Sequence, residues 1–375
     1  MLGSRHALGN GSDEGTAGLC DAGKVLEGAQ LGDLKRLSIV TGIHGDELEG
    51  QYVCYEVARR IREDIQCLNG IVDIYPAINP LGIDSIERGV PGFDLDMNRI
   101  FPGNKDGSMV EHAAAGVVQD LAGSDMVIDI HASNLYLTEI PQARISELFE
   151  DRLVPYAEQM GLDFIWVHSA STVLEATLAH SLNSIGTPTI VVEMGIGLRL
   201  TQAYGRQLTD GIFSLMEYMG MWDPGKTKSG TSASSEGSGR SAAGIAEPLS
   251  SAAGTAKSGT RKPLISRNND DVAYLNAPVS GVFIQHIEHN SFAHKGDVIG
   301  EIVDPLQGVS LCEVKAPCTG LIFTLRDFPM VDEGSLVGRM LRAEAMDPEQ
   351  RAEYEARGVR PVSSLDLAKY RGGAQ

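Results

Sequence analysis

The stretch LSIVTGIHGDELEGQYVCYEVARRIRE, residues 37–63, joins a short apolar run, a glycine-containing turn and an amphipathic segment. Residues 37–40 form the run, and Val53, Val57 and Ile61 recur at every fourth position further on. The run predicts a buried β-strand, and the fourfold spacing predicts an α-helix that packs one face on a core. A strand followed directly by a helix is the repeating unit of an α/β domain.

Three later runs repeat the strand pattern and are separated by helix-like segments. They read GIVDIYPAIN at 70–79, MVIDIHAS at 126–133 and TPTIVVEMG at 187–195. We therefore predict an α/β domain over residues 24–224, with a mixed, largely parallel sheet flanked by helices. Such sheets bind their ligands at the carboxyl ends of the strands, which directs attention to the polar residues there.

The composition divides the rest of the chain. Residues 1–23 are rich in glycine and lack periodicity, which predicts a disordered tail. Residues 225–262 consist mostly of Gly, Ser, Ala, Thr and Lys, and this composition predicts a flexible linker. We predict a small all-β domain over residues 263–345 and a C-terminal tail over residues 346–375.

The all-β domain is predicted from a duplicated pattern. APVSG at 277–281 recurs as APCTG at 316–320, and GDVIG at 296–300 recurs as GSLVG at 334–338. The duplication predicts two related β-hairpin units, and it resembles the barrel-sandwich hybrid of biotinyl and lipoyl domains. Those domains carry a modifiable Lys at a hairpin tip, whereas the tip DPLQGVSL at 304–311 has none. We therefore expect this domain to be structural, or to serve as a lid or an assembly surface, and we do not expect a swinging arm.

The charge and the cysteines limit the partners. The 375 residues include 50 acidic and 31 basic ones, which gives a formal net charge of -19. This surface repels phosphates and anionic lipids, so we expect no nucleic-acid partner and no membrane partner. The 5 cysteines form no CxxC pair, which argues against a disulfide framework and a cysteine zinc site. With no signal-peptide pattern either, we expect a cytoplasmic protein, and a homo-oligomer stays open.

Four motifs place polar residues where such a sheet binds ligands. In chain order they are GIHGDELEG, DLDMNRIFPG, DIHAS and VVEMG. Their order and spacing resemble those of the zinc carboxypeptidase-like hydrolases, most closely the branch of succinylglutamate desuccinylases and aspartoacylases. The resemblance covers residues 36–220 and implies a zinc-carboxypeptidase-like sheet followed by a β-rich C-terminal domain.

The resemblance implies one zinc ion per chain. His44 and Glu47 lie three residues apart at the start of the first predicted helix, and His131 ends a predicted strand. A hydrolytic zinc needs about three protein ligands and one open position, and these three residues would be the ligands. Manganese and cobalt accept the same nitrogen and oxygen ligands.

Three acidic residues near these ligands are interpreted differently. Asp129 shares a strand face with His131, so it is a candidate to orient that imidazole. Asp46 and Glu49 are interpreted as charges that favour the positive end of the following helix.

The resemblance also implies the catalytic and substrate-binding residues. Glu193 corresponds to the general base, which takes a proton from water and returns it to the leaving amine. Arg88 corresponds to the arginine that polarises the scissile carbonyl and stabilises the oxyanion. Asn98 and Arg99 correspond to the pair that binds the α-carboxylate of the substrate.

The predicted function is release of an acyl group from an N-acyl amino acid, a desuccinylase-like or deacetylase-like step of amino-acid metabolism. A metallocarboxypeptidase acting on short or isopeptide-linked peptides uses the same residues and is the alternative. A non-catalytic binding module is the second alternative. The segment 171–193 contains no Arg or Lys, and His180 is its only candidate cation. This favours a neutral acyl or side-chain group over a second carboxylate.

Overall fold

The computed structural model describes residues 34–169, 175–227 and 262–362. The tail predicted over residues 1–23 lies outside these ranges, and so does nearly all of the linker predicted over residues 225–262.

The described residues form strands β1 to β15 and helices α1 to α7. The strands are Arg36–Thr41, Ile71–Tyr75, Met126–Ala132, Leu137–Ser146, Phe164–His168, Thr189–Gly195, Leu264–Ser266, Val272–Asn276, Gly281–Gln285, Ser291–Ala293, Val298–Asp304, Val309–Lys315, Gly320–Arg326, Met330–Val331 and Leu336–Arg342. The helices are Glu49–Glu63, Pro80–Ser85, Met109–Leu121, Glu150–Ala157, Leu178–Ser184, Gln202–Tyr218 and Pro348–Arg357.

The main sheet has the order β2-β1-β3-β6-β4-β13-β15-β8. In addition, β5 pairs with β4 and β7, and β10 pairs with β13. Strands β2, β1, β3 and β6 run parallel, and β4 is antiparallel to β6. The predicted α/β fold, with a largely parallel central sheet and helices, is therefore confirmed. The antiparallel strands β13, β15 and β8 continue this sheet through β4.

Helices cover both faces of the parallel part of the sheet. The predicted stripe Val53, Val57 and Ile61 of α1 is buried in one core with residues of β1, β3 and α6. A second core packs α3 and α5 against the opposite face. Because both faces are covered, all seven residues of β3 are buried.

Some of the strands after residue 262 form a second, four-stranded sheet, whose order is β12-β11-β9-β14. This sheet lies beside the extension of the main sheet. The duplicated motifs occupy equivalent places, since APVSG leads into β9 and APCTG leads into β13. Within the predicted C-terminal tail, residues 348–357 form α7 instead. Asp347 caps this helix through Glu349 N, and Tyr354 is buried against the β-rich part.

Among the described residues, no helix is both long enough and apolar enough to cross a bilayer.

The close packing of α6 provides a test of the fold. A β-carbon at Gly211 would lie 1.8 Å from the carbonyl oxygen of Met160, so the helix has no room for a side chain there. We expect Gly211→Ala to lower the free energy of unfolding by about 1–3 kcal/mol, measured by urea denaturation. Gly116→Ala in α3 is the matched control, because a β-carbon at that position would have no atom within 4 Å apart from those of its chain neighbours and the backbone of its own helix. Equal unfolding midpoints for the two variants would contradict this packing.

Candidate metal centre and substrate pocket

The three predicted metal ligands meet at the carboxyl ends of neighbouring strands. His44 and Glu47 lie in the turn between β1 and α1, and His131 lies near the end of β3. Strands β1 and β3 are parallel neighbours, so their ends open onto the same edge of the sheet. All three side chains are buried.

The ligand atoms of these residues converge. Glu47 places one carboxylate oxygen 2.8 Å from His44 Nδ1 and the other 2.9 Å from His131 Nδ1. The two Nδ1 atoms are 3.2 Å apart. Ligands bound at 2.0–2.1 Å to a tetrahedral zinc are separated by about 3.3 Å. The set therefore fits one small divalent cation with nitrogen and oxygen ligands.

A carboxylate faces the outer nitrogen of each imidazole. Asp96 Oδ1 lies 3.0 Å from His44 Nε2, and Asp129 Oδ1 lies 3.2 Å from His131 Nε2. Such partners fix the orientation of the ring and make Nδ1 the better electron-pair donor. Asp129 is therefore placed where the sequence predicts it. Asp96 is missed by the sequence analysis, although it stands within the motif DLDMNR.

The charge of Glu47 is stabilised in place. Burial alone would raise the pKa of this carboxyl, but His131 and His44 outweigh it and hold the pKa well below its usual range. Arg88 places a permanent positive charge beside this carboxylate, with Nη1 2.8 Å from Glu47 Oε1. The acid is therefore ionised, as a metal ligand must be.

Asp46 and Glu49 differ from simple helix-start charges because both are buried. Glu49 accepts hydrogen bonds from Thr201 N, at the start of α6, at 2.8 Å to each of its oxygens. These hydrogen bonds join the first turn of α1 to the start of α6. Neither acid belongs to the group of converging ligand atoms.

Glu193 lies directly beside the centre. It is the register partner of His131 on the parallel neighbour β6, so both side chains leave the same face of the sheet. Burial raises the pKa of Glu193 above its usual range, and the nearby Arg144 opposes that shift. A raised pKa is typical of a carboxylate that both accepts and returns protons near neutral pH.

Arg88, Asn98 and Arg99 lie in the chain between α2 and α3. The Asn98 side-chain oxygen accepts a hydrogen bond from Leu178 N, which leaves its amide nitrogen to donate to a ligand. Arg99 Nη1 donates to the carbonyl oxygen of Asn98. The short helical turn Met97–Arg99, capped by Asp96, fixes both residues.

One cavity of about 390 Å³ joins these groups. All seven residues predicted for the site line it, namely His44, Glu47, Arg88, Asn98, Arg99, His131 and Glu193. His180 lines it as well, so the candidate cation of the segment 171–193 does reach the pocket.

Sequence reasoning missed three charged residues of this cavity, Glu139, Arg144 and Arg339. The first two lie on β4, and Arg339 lies on β15, far along the chain. None stands in one of the four motifs, so no local signal marked them. The segment 171–193 itself has no Arg or Lys, but β4 supplies an arginine to the pocket, because Arg144 Nη1 lies 3.4 Å from Glu193 Oε1.

Comparisons with known proteins agree with the motifs. Residues 33–219 match the model of the succinylglutamate desuccinylase/aspartoacylase catalytic domain. A segment of 104 residues, 27% of this chain, is 38% identical to N-alpha-acetyl-L-2,4-diaminobutyric acid deacetylase of Halomonas elongata. The match spans 30% of that relative's length.

Two solved structures share the fold. A succinylglutamate desuccinylase/aspartoacylase from Rhodobacter sphaeroides superimposes with a TM-score of 0.63 at 21% identity, over 82% of this chain and 86% of that one. The product-bound ectoine utilization protein EutE (DoeB) from Ruegeria pomeroyi gives a TM-score of 0.62 at 18% identity, with the same coverage. As the motifs predict, the chain belongs, through residues 33–219, to the succinylglutamate desuccinylase/aspartoacylase family.

Proposed function

We propose that this protein is a zinc-dependent amide hydrolase that releases the acyl group of an N-acyl amino acid. The observation that carries the proposal is the convergence of the buried ligand atoms of His44, Glu47 and His131 in a cavity that Glu193 also lines. Membership of the family and the likeness to a deacetylase support amide hydrolysis as the reaction.

His44, Glu47 and His131 would hold the zinc ion. When bound, the ion lowers the pKa of water to about 7 and polarises a carbonyl group. Glu193 takes a proton from the attacking water and delivers it to the leaving nitrogen. Arg88 stabilises the negative charge that develops on the amide oxygen.

The carboxylates behind the histidines give a prediction for metal affinity. Asp96→Asn and Asp129→Asn each remove the negative charge that faces an outer imidazole nitrogen. We expect each variant to bind zinc about 10–100-fold more weakly, measured by competition with a chromogenic chelator. Asp106→Asn, in an exposed loop, is the control. Wild-type affinity in both site variants would rule out this role.

Asn98 and Arg99 bind the α-carboxylate of the substrate in this proposal. Removal of a charged hydrogen-bond donor costs about 1.5–3 kcal/mol. We therefore expect Arg99→Met to raise KM about 10–100-fold, while Arg62→Met on the exposed side of α1 leaves it unchanged. Steady-state kinetics on the acid substrate and its carboxamide give the check, since the carboxamide should lose little. An equal rise in KM for both substrates would refute carboxylate binding.

A hydrolysis screen of zinc-loaded protein tests the function itself. One pool contains N-acetyl and N-succinyl amino acids, including N-acetyl-2,4-diaminobutyrate, and a second contains short peptides with free C-termini. We expect mass spectrometry to show release of an amino acid from the first pool. Turnover confined to the peptides would replace the proposal with a carboxypeptidase, and no turnover in either pool would reject it.

A further inference from the structure

Four adjacent strands, β15, β13, β4 and β6, align a row of polar residues that ends at Glu193 of β6. Glu139 of β4 is the register partner of Thr324 of β13, and Thr324 is the partner of Arg339 of β15. The pairing of β4 with β6 contains a bulge between Glu139 and Gln142. A bulge adds one residue to the strand and reverses the facing of the residues after it, so Glu139 and Arg144 point to the same face despite their odd spacing.

The charges in this row alternate. Arg339 Nη1 donates to Glu139 Oε1 at 2.7 Å, and Arg144 Nη2 donates to Glu139 Oε2 at 2.6 Å. On its other side, Arg144 Nη1 lies 3.4 Å from Glu193 Oε1. Glu139 is 1% exposed, so it depends on these cations for its charge. Arg144 is thus shared between a structural carboxylate and the carboxylate proposed as the base.

An aromatic ring supports both arginines. The guanidinium carbons of Arg144 and Arg339 lie 5.6 Å and 5.8 Å from the centre of the Trp166 ring. Stacking on one ring holds two like charges close together and restricts their movement. Each Nε atom is buried and has no hydrogen-bond partner within the described part of the chain. The two side chains are therefore placed by Glu139 and Trp166.

We propose that Arg339, Glu139 and Arg144 form a positioning chain through which strand β15 sets the orientation of Glu193. The inference rests on the proposed role of Glu193. Without Arg339, the Glu139 carboxylate would pair fully with Arg144. Glu193 would then lose its contact with Arg144. Arg339 would thus be a positioning residue supplied by strand β15, outside the matched residues 33–219.

Kinetics of single and double variants test the chain. We expect Arg339→Met to lower kcat by about 100-fold, as a small misplacement of a catalytic group does, with KM nearly unchanged. Arg339→Lys should retain most of the activity. In the Glu139→Gln background, Arg339→Met should have almost no further effect, because Arg339 acts only through Glu139. Arg342→Met on the same strand is the control. The proposal would be overturned if the losses in kcat of the two single variants multiplied in the double variant, or if Arg339→Met kept full activity.

A second readout needs no turnover. The Nε–Hε NMR signal of Arg144, identified by its loss in Arg144→Lys, should shift in Arg339→Met and stay in place in Arg342→Met. An unchanged signal would refute the chain, whatever the substrate. If the wild-type protein hydrolyses neither substrate pool, the proposed function fails, and this signal still decides whether Arg339 controls Arg144.

Discussion

The Glu193→Gln protein should bind zinc as tightly as the wild-type protein and hydrolyse its N-acyl amino acid at least about 100-fold more slowly. Glutamine has nearly the same shape as glutamate but cannot take a proton from water. Since Glu193 is not among the converging ligand atoms, the metal site should remain intact. The measurement is kcat together with the zinc content of each protein.

The matched control for this variant is Glu217→Gln, at an exposed position of α6. It should keep both the zinc and the wild-type rate. A Glu193→Gln protein that turns over substrate at the wild-type rate would remove Glu193 from the mechanism. A variant without zinc would instead place this residue among the metal ligands.

His131→Ala should lose both the metal and the activity. The change removes one of three protein ligands, and the remaining His44 and Glu47 cannot complete the set that a hydrolytic zinc requires. We expect the zinc content after dialysis to fall from one per chain to less than about a tenth of that, with hydrolysis at the background rate. Elemental analysis and the release of amino acid measure the two effects.

His112→Ala, on an exposed part of α3, is the control and should keep its zinc. Circular dichroism should show that the His131→Ala protein is folded, because β3 is held by β1 and β6 along its whole length. A folded His131→Ala protein with one zinc per chain would place the metal elsewhere.

The pocket provides positive charge for the anionic substrate that we propose, although the chain as a whole is acidic. The overall charge is -19, yet four arginines line the cavity, namely Arg88, Arg99, Arg144 and Arg339. Arg144 and Arg339 are balanced by Glu139 and Glu193, and Arg88 is balanced by Glu47 and Asp96. The positive charge left for a ligand is therefore concentrated near Asn98, where we place the α-carboxylate.

The proposed metal ligands could be singled out in the sequence because each stands beside a strand with a strong apolar pattern. Parallel neighbours bring their carboxyl ends to one edge, so the positions of His44 and His131 followed once the strands were recognised. Glu193 followed in the same way from TPTIVVEMG. The predicted family and the parallel sheet rest on this local information, and both are confirmed.

The residues that were missed depend on contacts between distant parts of the chain. Arg339 reaches the cavity only because β15 joins the main sheet through β13 and β4. Arg144 faces Glu193 only because β4 contains a bulge. Likewise, Glu49 looks like a helix-start charge in the sequence, and its bond to Thr201 appears only when α1 and α6 are packed together. A local sequence pattern does not encode contacts between residues that lie so far apart in the chain.

The most direct test of zinc-dependent amide hydrolysis is a zinc titration of metal-free protein in the presence of an N-acyl amino acid that the screen identifies. We expect that release of the free amino acid is absent without zinc, rises in proportion to added zinc and reaches its plateau at one zinc per chain. Release by the metal-free protein, or full zinc binding without any release, would contradict it.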